Sequence, residues 1–301
     1  MIRLRVWANA RPMGWFGHEA GEFFFEFDRQ WLEQPGGYAL APQFALGPQR
    51  FKGVLVRNFF ENLLPEGQVL EDVLAAIHLR DASPFDVLGT LGRELPGVLS
   101  LLPENQPHAQ QQAYEPLSHE ALSQRITQRE QVPLLMANAQ ATMSLAGAQD
   151  KMGLRFDSRT QRFWDSVGPS PTTHILKPDT GNPRTPHLAV NEHFCMSLAR
   201  RMGLPVAEVG LLRTPRPVLV VRRFDRAVHD MASQSRVHRL HLIDACQACD
   251  LPVAYKYERN LGSAPLVRHI RDGVSFERLF GCGPGHLVAR VDRDVVVVAP
   301  L

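Results

Sequence analysis

The chain has 301 residues, 44% apolar and 21% charged, enough for a normal core in one large domain or two ordinary ones. Its 33 basic residues nearly balance 31 acidic ones, which excludes a protein devoted mainly to gripping nucleic-acid phosphates but leaves room for a local basic patch. No apolar run of about 18 residues appears, the opening MIRLRVWANARPMGWFG lacks a signal-peptide core, and 4 cysteines form no disulfide framework. No membrane span is expected, and the expected compartment is the cytoplasm.

Residues 1–103 read as one unit. IRLRVWA and FFFEF are strands by composition, with Gly14 and Gly17 punctuating a turn between them. In FKGVLVRNFFENLLPEGQVLEDVLAAIHL, the spacing of Phe59, Phe60, Leu63, Leu64, Val69, Val73 and Ile77 predicts helix, broken at Pro65 and Gly67. PFDVLGTLG continues as helix and GVLSLLP closes the unit as a strand. Residues 104–135, rich in Gln and Pro, read as a linker running into a polar surface helix.

From 136 to 225 the pattern is strand, turn, strand. KMGLRFD and QRFWDS form a hairpin, and THILKPD is a third strand. VNEHFCMSLARRMGL carries a helical stripe of Val190, Phe194, Leu198 and Met202, stopped by Gly203. VAEVGLLRT and the β-branched RPVLVVRRFDR are two more strands. The fold class is α+β, and five strands with one helix after the third is the order of a kinase N-lobe. Order alone does not fix function.

Within SLAGAQDKMGLRF, the small residues Ser144, Ala146, Gly147 and Ala148 let a backbone approach a phosphate group. The run is neither a Walker A motif nor an ordinary kinase glycine loop, and by itself reads more readily as a tight turn. Lys177 ends an apolar strand and Glu192 begins the next helix, the arrangement with which kinases orient nucleotide phosphates. Alone, each also fits a solvated lysine and a dipole-favoured glutamate. Cys246 and Cys249 make a C-x-x-C that could serve redox chemistry or half a zinc site. Cys195 and Cys282 stand apart, which favours plain helix packing.

SLAGAQDK, TTHILKPD, NEHFCMSLARRMGL and VVRRFDR occur in the order and approximate spacing of HipA-type Ser/Thr kinase toxins. FFENLLPEG with LGRELPGVLSL resembles the N-terminal subdomain of that family, and DACQACDLPVAYKYE the start of its C-lobe. The resemblance covers roughly residues 1–280. It implies a HipA-type N-terminal subdomain (1–103), a kinase-like N-lobe (136–225) and an incomplete helical C-lobe (226–301). It implies that Ala146, Gly147, Ala148, Gln149, Asp150 and Lys151 form the nucleotide-binding loop. Ser144 then matches a serine whose autophosphorylation ejects that loop. Lys177 matches the ATP-contacting lysine, and Glu192 its partner. Arg222, Arg223 and Phe224 match the hinge holding adenine by backbone hydrogen bonds, with Arg222 where the family usually has glutamate. ATP and Mg2+ are the implied cofactors. The implied partners are a HipB-like DNA-binding antitoxin, with DNA contact only indirect, and an aminoacyl-tRNA synthetase as protein substrate.

The family's catalytic run resembles D-x-H-x-K-N, with a later metal-binding Asp, and neither follows Asp225 in this sequence. In HLVARVDRDVVVVAPL, Asp292 and Asp294 lack the required following Asn. No catalytic or metal-binding residue is therefore assigned. The expectation is a chain that departs from the family near 279–285, is truncated before the catalytic loop, and transfers no phosphoryl group. It is then either a non-catalytic ATP- or antitoxin-binding remnant or one half of a split kinase. The helices DACQAC and FERLF are expected to leave apolar faces exposed, giving a poorly soluble C-terminal third.

Overall fold

A computed structural model describes residues 2–79, 82–109, 111–137, 143–147, 149–230, 235–256, 288–292 and 295–299. Strands β1 (Ile2–Ala8), β2 (Arg11–Glu19) and β3 (Glu22–Phe27) are followed by helix α1 (Arg29–Glu33), strand β4 (Arg50–Lys52) and helices α2 (Val54–Glu61), α3 (Gly67–Ala76) and α4 (Pro84–Leu91). Strand β5 (Leu99–Pro103) completes an antiparallel sheet of order β4-β3-β2-β1-β5. Helix and strand alternate where the period of the apolar residues changes from near four to two. Ser83 caps α4 through a capping box with Asp86, and Pro84 takes its first position. The break between α2 and α3 falls at Asn62–Glu66, as Pro65 and Gly67 require.

Gly14 and Gly17 are not turn residues. Both lie inside β2, and the turns are at Asn9–Ala10 and Ala20–Gly21. The reason is aromatic cover. A Cβ at Gly17 would sit 2.5 Å from the Phe24 ring, and one at Gly14 3.0 Å from the Phe25 ring. The Phe25 ring belongs to a dense core in which Phe16 stacks on Phe60 at 3.9 Å between centroids, and Phe44 and Phe59 meet edge to face.

The second unit begins earlier than the linker reading allowed. Residues Ala113–Leu117 form strand β6, which pairs with β8, and helix α5 (His119–Thr127) follows it. AYEPL is polar because it is an edge strand, where Pro116 is tolerated. Strands β7 (Met152–Asp157), β8 (Arg162–Val167) and β9 (His174–Pro178), helix α6 (Leu188–Arg201), and strands β10 (Val209–Arg213) and β11 (Pro217–Arg222) follow. The sheet order is β10-β11-β9-β7-β8-β6, so the expected five-stranded sheet carries a sixth strand. Leu122 and Ile126 of α5 pack on Leu154, Leu176 and Val218 to form the second core.

The stripe on α6 is not a core face. Phe194 is 63% and Met202 71% exposed, and Ala189 is the one buried residue of the helix. After β11 come the hairpin β12 (Arg226–Asp230) and β13 (Ser235–Arg239), helix α7 (Ala245–Ala248), a 3-10 turn Val253–Lys256, and the hairpin β14 (Val288–Asp292) and β15 (Val295–Ala299). The described part of the expected helical C-lobe is thus mostly hairpin. The apolar face of DACQAC is not exposed either: Cys246 and Ala248 are buried, and Ala248 joins the first core. FERLF lies outside the described residues.

Candidate functional site: a lysine–glutamate pair beside a buried loop

Side chains alternate across β9. Leu176 is buried in the second core, so Lys177 leaves the sheet on the opposite side. There its Nζ donates to Glu192 Oε1 at 2.6 Å, both side chains being about a quarter exposed. Glu192 is the fifth residue of α6 rather than its first, one turn further in than the sequence pattern suggests.

Residues 143–147 and 149–151 lie against the N-terminal unit. Ser144 is fully buried; its Oγ donates to Leu63 O at 2.6 Å and its N–H to Glu94 O at 2.9 Å. Gly147 bridges Pro65 in parallel and adopts φ +105°, a conformation that favours glycine. Lys151 Nζ donates to Ala146 O at 2.6 Å, and a Cβ on Gly147 would come within 2.8 Å of that nitrogen. The loop is therefore wrapped around a buried ammonium. Burial first, then the neighbouring Lys177, pulls the Lys151 pKa down to about 8 against the pull of Glu66, Asp150 and Glu192. Asp150 is pushed up to about 6, chiefly by burial. Gln149 Nε2 and Asp150 Oδ1 are buried with no hydrogen-bond partner among the described residues. Ala148 lies outside the described residues.

The residues of RRF go elsewhere. Arg222 N–H donates to Glu208 O at 2.8 Å and Arg223 N–H to Thr173 O at 2.9 Å, so both amides are spent on neighbouring backbone. Arg222 also sits opposite His174, at the other end of β9 from Lys177. The Arg223 side chain enters a fully buried cluster in which Arg223, Arg226 and Arg239 meet Glu94 and Asp225. Glu94 accepts from Arg223 at 3.0 Å, from Arg226 at 2.9 Å, from Arg239, and from the Thr172 hydroxyl at 2.8 Å. Burial alone would raise its pKa, but the charges of Arg239, Arg226 and Arg223 together take it down to about 2. Glu94 lies between α4 and β5, while Arg223, Arg226 and Arg239 follow β11, so the cluster joins the first sheet's unit to the chain after the second sheet.

The C-x-x-C behaves as packing. Burial pushes the Cys246 thiol up to about 12 and raises Cys249 as well, which suppresses the thiolates that metal binding or redox exchange needs. Among the described residues, no group of three or more His, Cys, Asp or Glu is placed to hold a metal ion, and no helix is long and apolar enough to cross a membrane.

Sequence reasoning thus located the pair Lys177–Glu192 and the loop. It missed Glu94, Glu66, Asp225, Arg226, Arg239 and Lys256. A signal was available in LGRELPG and RRFDR, where charged residues interrupt apolar stretches that have to be buried.

A strand lysine salt-bridged to a helix glutamate beside a glycine-containing loop, on an antiparallel sheet with one inserted helix, is the lobe of a kinase-like protein. Residues 4–102 match the HipA N-terminal domain and residues 143–280 the HipA-like C-terminal domain. The chain belongs to the HipA family. It is 31% identical over 266 residues to the serine/threonine-protein kinase toxin HipA of Shewanella oneidensis, covering 88% of this chain and 59% of that protein. It is 34% identical over 262 residues to the putative kinase Y4mE of Sinorhizobium fredii, covering 84% and 60%. A solved complex of Shewanella oneidensis HipA, HipB and operator DNA superposes with a TM-score of 0.70 at 28% identity, over 92% of this chain and 63% of that one. The chain spans about three fifths of the length of these relatives.

Proposed function

We propose that this chain is the nucleotide-binding portion of a HipA-like serine/threonine kinase toxin. The observation that carries the reading is the 2.6 Å Lys177–Glu192 pair next to a buried, glycine-containing loop. The residues present fit the phosphates of ATP. Lys177 and Lys151 repel one another electrostatically, and an anion between them relieves that repulsion. Gly147 leaves the space a Cβ would fill, and Gln149 Nε2 is a donor with no partner among the described residues. Bound ATP would supply the transferable phosphoryl group; Lys177 would hold its phosphates, with Glu192 fixing the direction of the ammonium. Of the residues at 222–224, Phe224 remains the candidate adenine contact, because the other two amides are engaged.

Phosphoryl transfer by these 301 residues alone is not part of the proposal, since no D-x-H-x-K-N run lies among them. The partner proposed is a HipB-like DNA-binding antitoxin, as in the complex of the Shewanella relative. An aminoacyl-tRNA synthetase is the substrate proposed for a complete kinase of this kind. The test is intact mass after incubation with ATP and magnesium, beside Ser144→Ala. No gain in mass together with measurable ATP binding is the expected result. A phosphate gained by the chain and absent from Ser144→Ala would show that a catalytic group is present after all.

A further inference from the structure

The nucleotide loop rests on the end of a helix in the other domain. Helix α2 finishes at Glu61, and the last carbonyls of any helix have no partner within it. Here those acceptors, and the two that follow, are divided among three segments. Leu63 N–H and Leu64 N–H take Phe60 O and Glu61 O locally. Gln247 Nε2 takes Phe59 O at 3.0 Å, and Lys256 Nζ takes Asn62 O at 3.0 Å. The Ser144 hydroxyl takes Leu63 O, and Gly147 bridges Pro65 one step further along. One short turn therefore carries contacts to the nucleotide loop on one side and to residues 247–256 on the other.

The second side is ionic. Lys256 Nζ lies 3.2 Å from Glu66 and 2.9 Å from Asp244, and all three side chains are largely buried. A cation at the carbonyl end of a helix is stabilised by the helix dipole as well as by its carboxylates. Asn62 Nδ2 adds a bond to Leu251 O at 2.9 Å. Removing Lys256 takes away the ammonium that lies between Glu66 and Asp244 and the donor on Asn62 O, leaving Glu66 to the pull of Lys151 in the loop, and the turn loses its tie to residues 244–256.

We infer that the turn Asn62–Glu66 is a positioning element for the nucleotide loop, and that Lys256, through Glu66 and Asn62 O, is the positioning residue that fixes it. The inference rests on the proposed nucleotide site for its ligand but not for its contacts. Docking of the segment 244–256 is in this way coupled to the shape of a phosphate loop more than 90 residues earlier in the chain.

The test uses the full chain, hydrogen exchange read by mass spectrometry, and ATP with magnesium as the probe. Lys256→Met and Ser144→Ala should each speed exchange of the 143–151 amides by about fivefold or more, the scale of one lost buried hydrogen bond. Peptides from 209–222 in the second sheet should exchange as in wild type. Lys256→Met should weaken ATP binding by a similar factor, and Lys256→Arg should restore both readouts. If Lys256→Met speeds exchange only within 244–256 and leaves 143–151 and ATP affinity as in wild type, the inference is wrong. Should Lys256→Met lose protection throughout the chain, Asp244→Asn, which keeps the shape and removes the carboxylate charge on the far side of Lys256 from the loop, decides the question by the same two readouts. Absence of ATP binding by wild type would overturn the nucleotide reading, while the exchange results would still decide on the turn.

Discussion

Replacing Glu94 by Gln keeps the volume of the side chain and removes its charge, leaving Arg223 and Arg226 buried on Asp225 and Arg239 buried without the carboxylate it pairs with. Two routes give the cost. Breaking a buried ion network by removing one partner costs about 3–5 kcal/mol, because the remaining charge is stranded away from water. The fall in the Glu94 pKa from 4.5 to about 2 converts, at about 1.4 kcal/mol per pH unit, to about 3 kcal/mol. The sign follows from the folded pKa lying below the unfolded one. The contribution is complete above about pH 4.5 and is lost as pH falls toward 2. Urea denaturation of wild type and Glu94→Gln at a series of pH values should show a gap of about 3 kcal/mol at pH 7 that narrows in acid. A gap below about 1 kcal/mol at pH 7 would refute the reasoning, since a surface-like ion pair is worth no more than that.

Lys151→Met should raise the denaturation midpoint at pH 7, because the folded chain no longer buries that ammonium, and should weaken ATP binding; a variant that loses stability would contradict the burial argument. In wild type, ATP affinity should fall as pH rises through about 8, where the Lys151 amine loses its proton, and an affinity flat from pH 7 to 9 would remove Lys151 from the site. Gly97 has φ +69°, and an added Cβ would lie 2.8 Å from the Leu242 backbone. Gly97→Ala should therefore cost about 1–3 kcal/mol in urea denaturation, with a loss under about 0.5 kcal/mol counting against the geometry. His241 and His174 are both held down to about 4, chiefly by burial, so the unfolded chain takes up protons that the folded chain refuses. Stability should fall as pH drops from 6.5 through about 4, and His241→Gln should flatten that slope by about one proton.

Much of the architecture was legible because local chemistry and burial agree. FFENLLPEG breaks between α2 and α3 where Pro65 cannot donate and Gly67 takes a positive φ. Lys177 and Glu192, 15 residues apart, meet because a strand end and the next helix bring them to one side of the sheet. What failed did so where tertiary contact overrides pattern. Gly14 and Gly17 resemble turn residues until Phe24 and Phe25 cover them. The α6 stripe has the period of a core face, but period does not say whether a neighbour is there to cover it. DACQAC appeared unpartnered because its partner, α2, lies about 190 residues earlier, as the Gln247–Phe59 bond shows. The Glu94 cluster draws its charges from residues 94, 223, 225, 226 and 239, a spacing that no local motif exposes.

The most direct test of the nucleotide-site account is a calorimetric titration of the full chain with ATP, repeated with Lys177→Met. The account predicts saturable binding to wild type and a loss of about tenfold or more in the variant, the scale of one charge-assisted hydrogen bond to phosphate. Binding that ignores the loss of Lys177, or no binding at all, would contradict it.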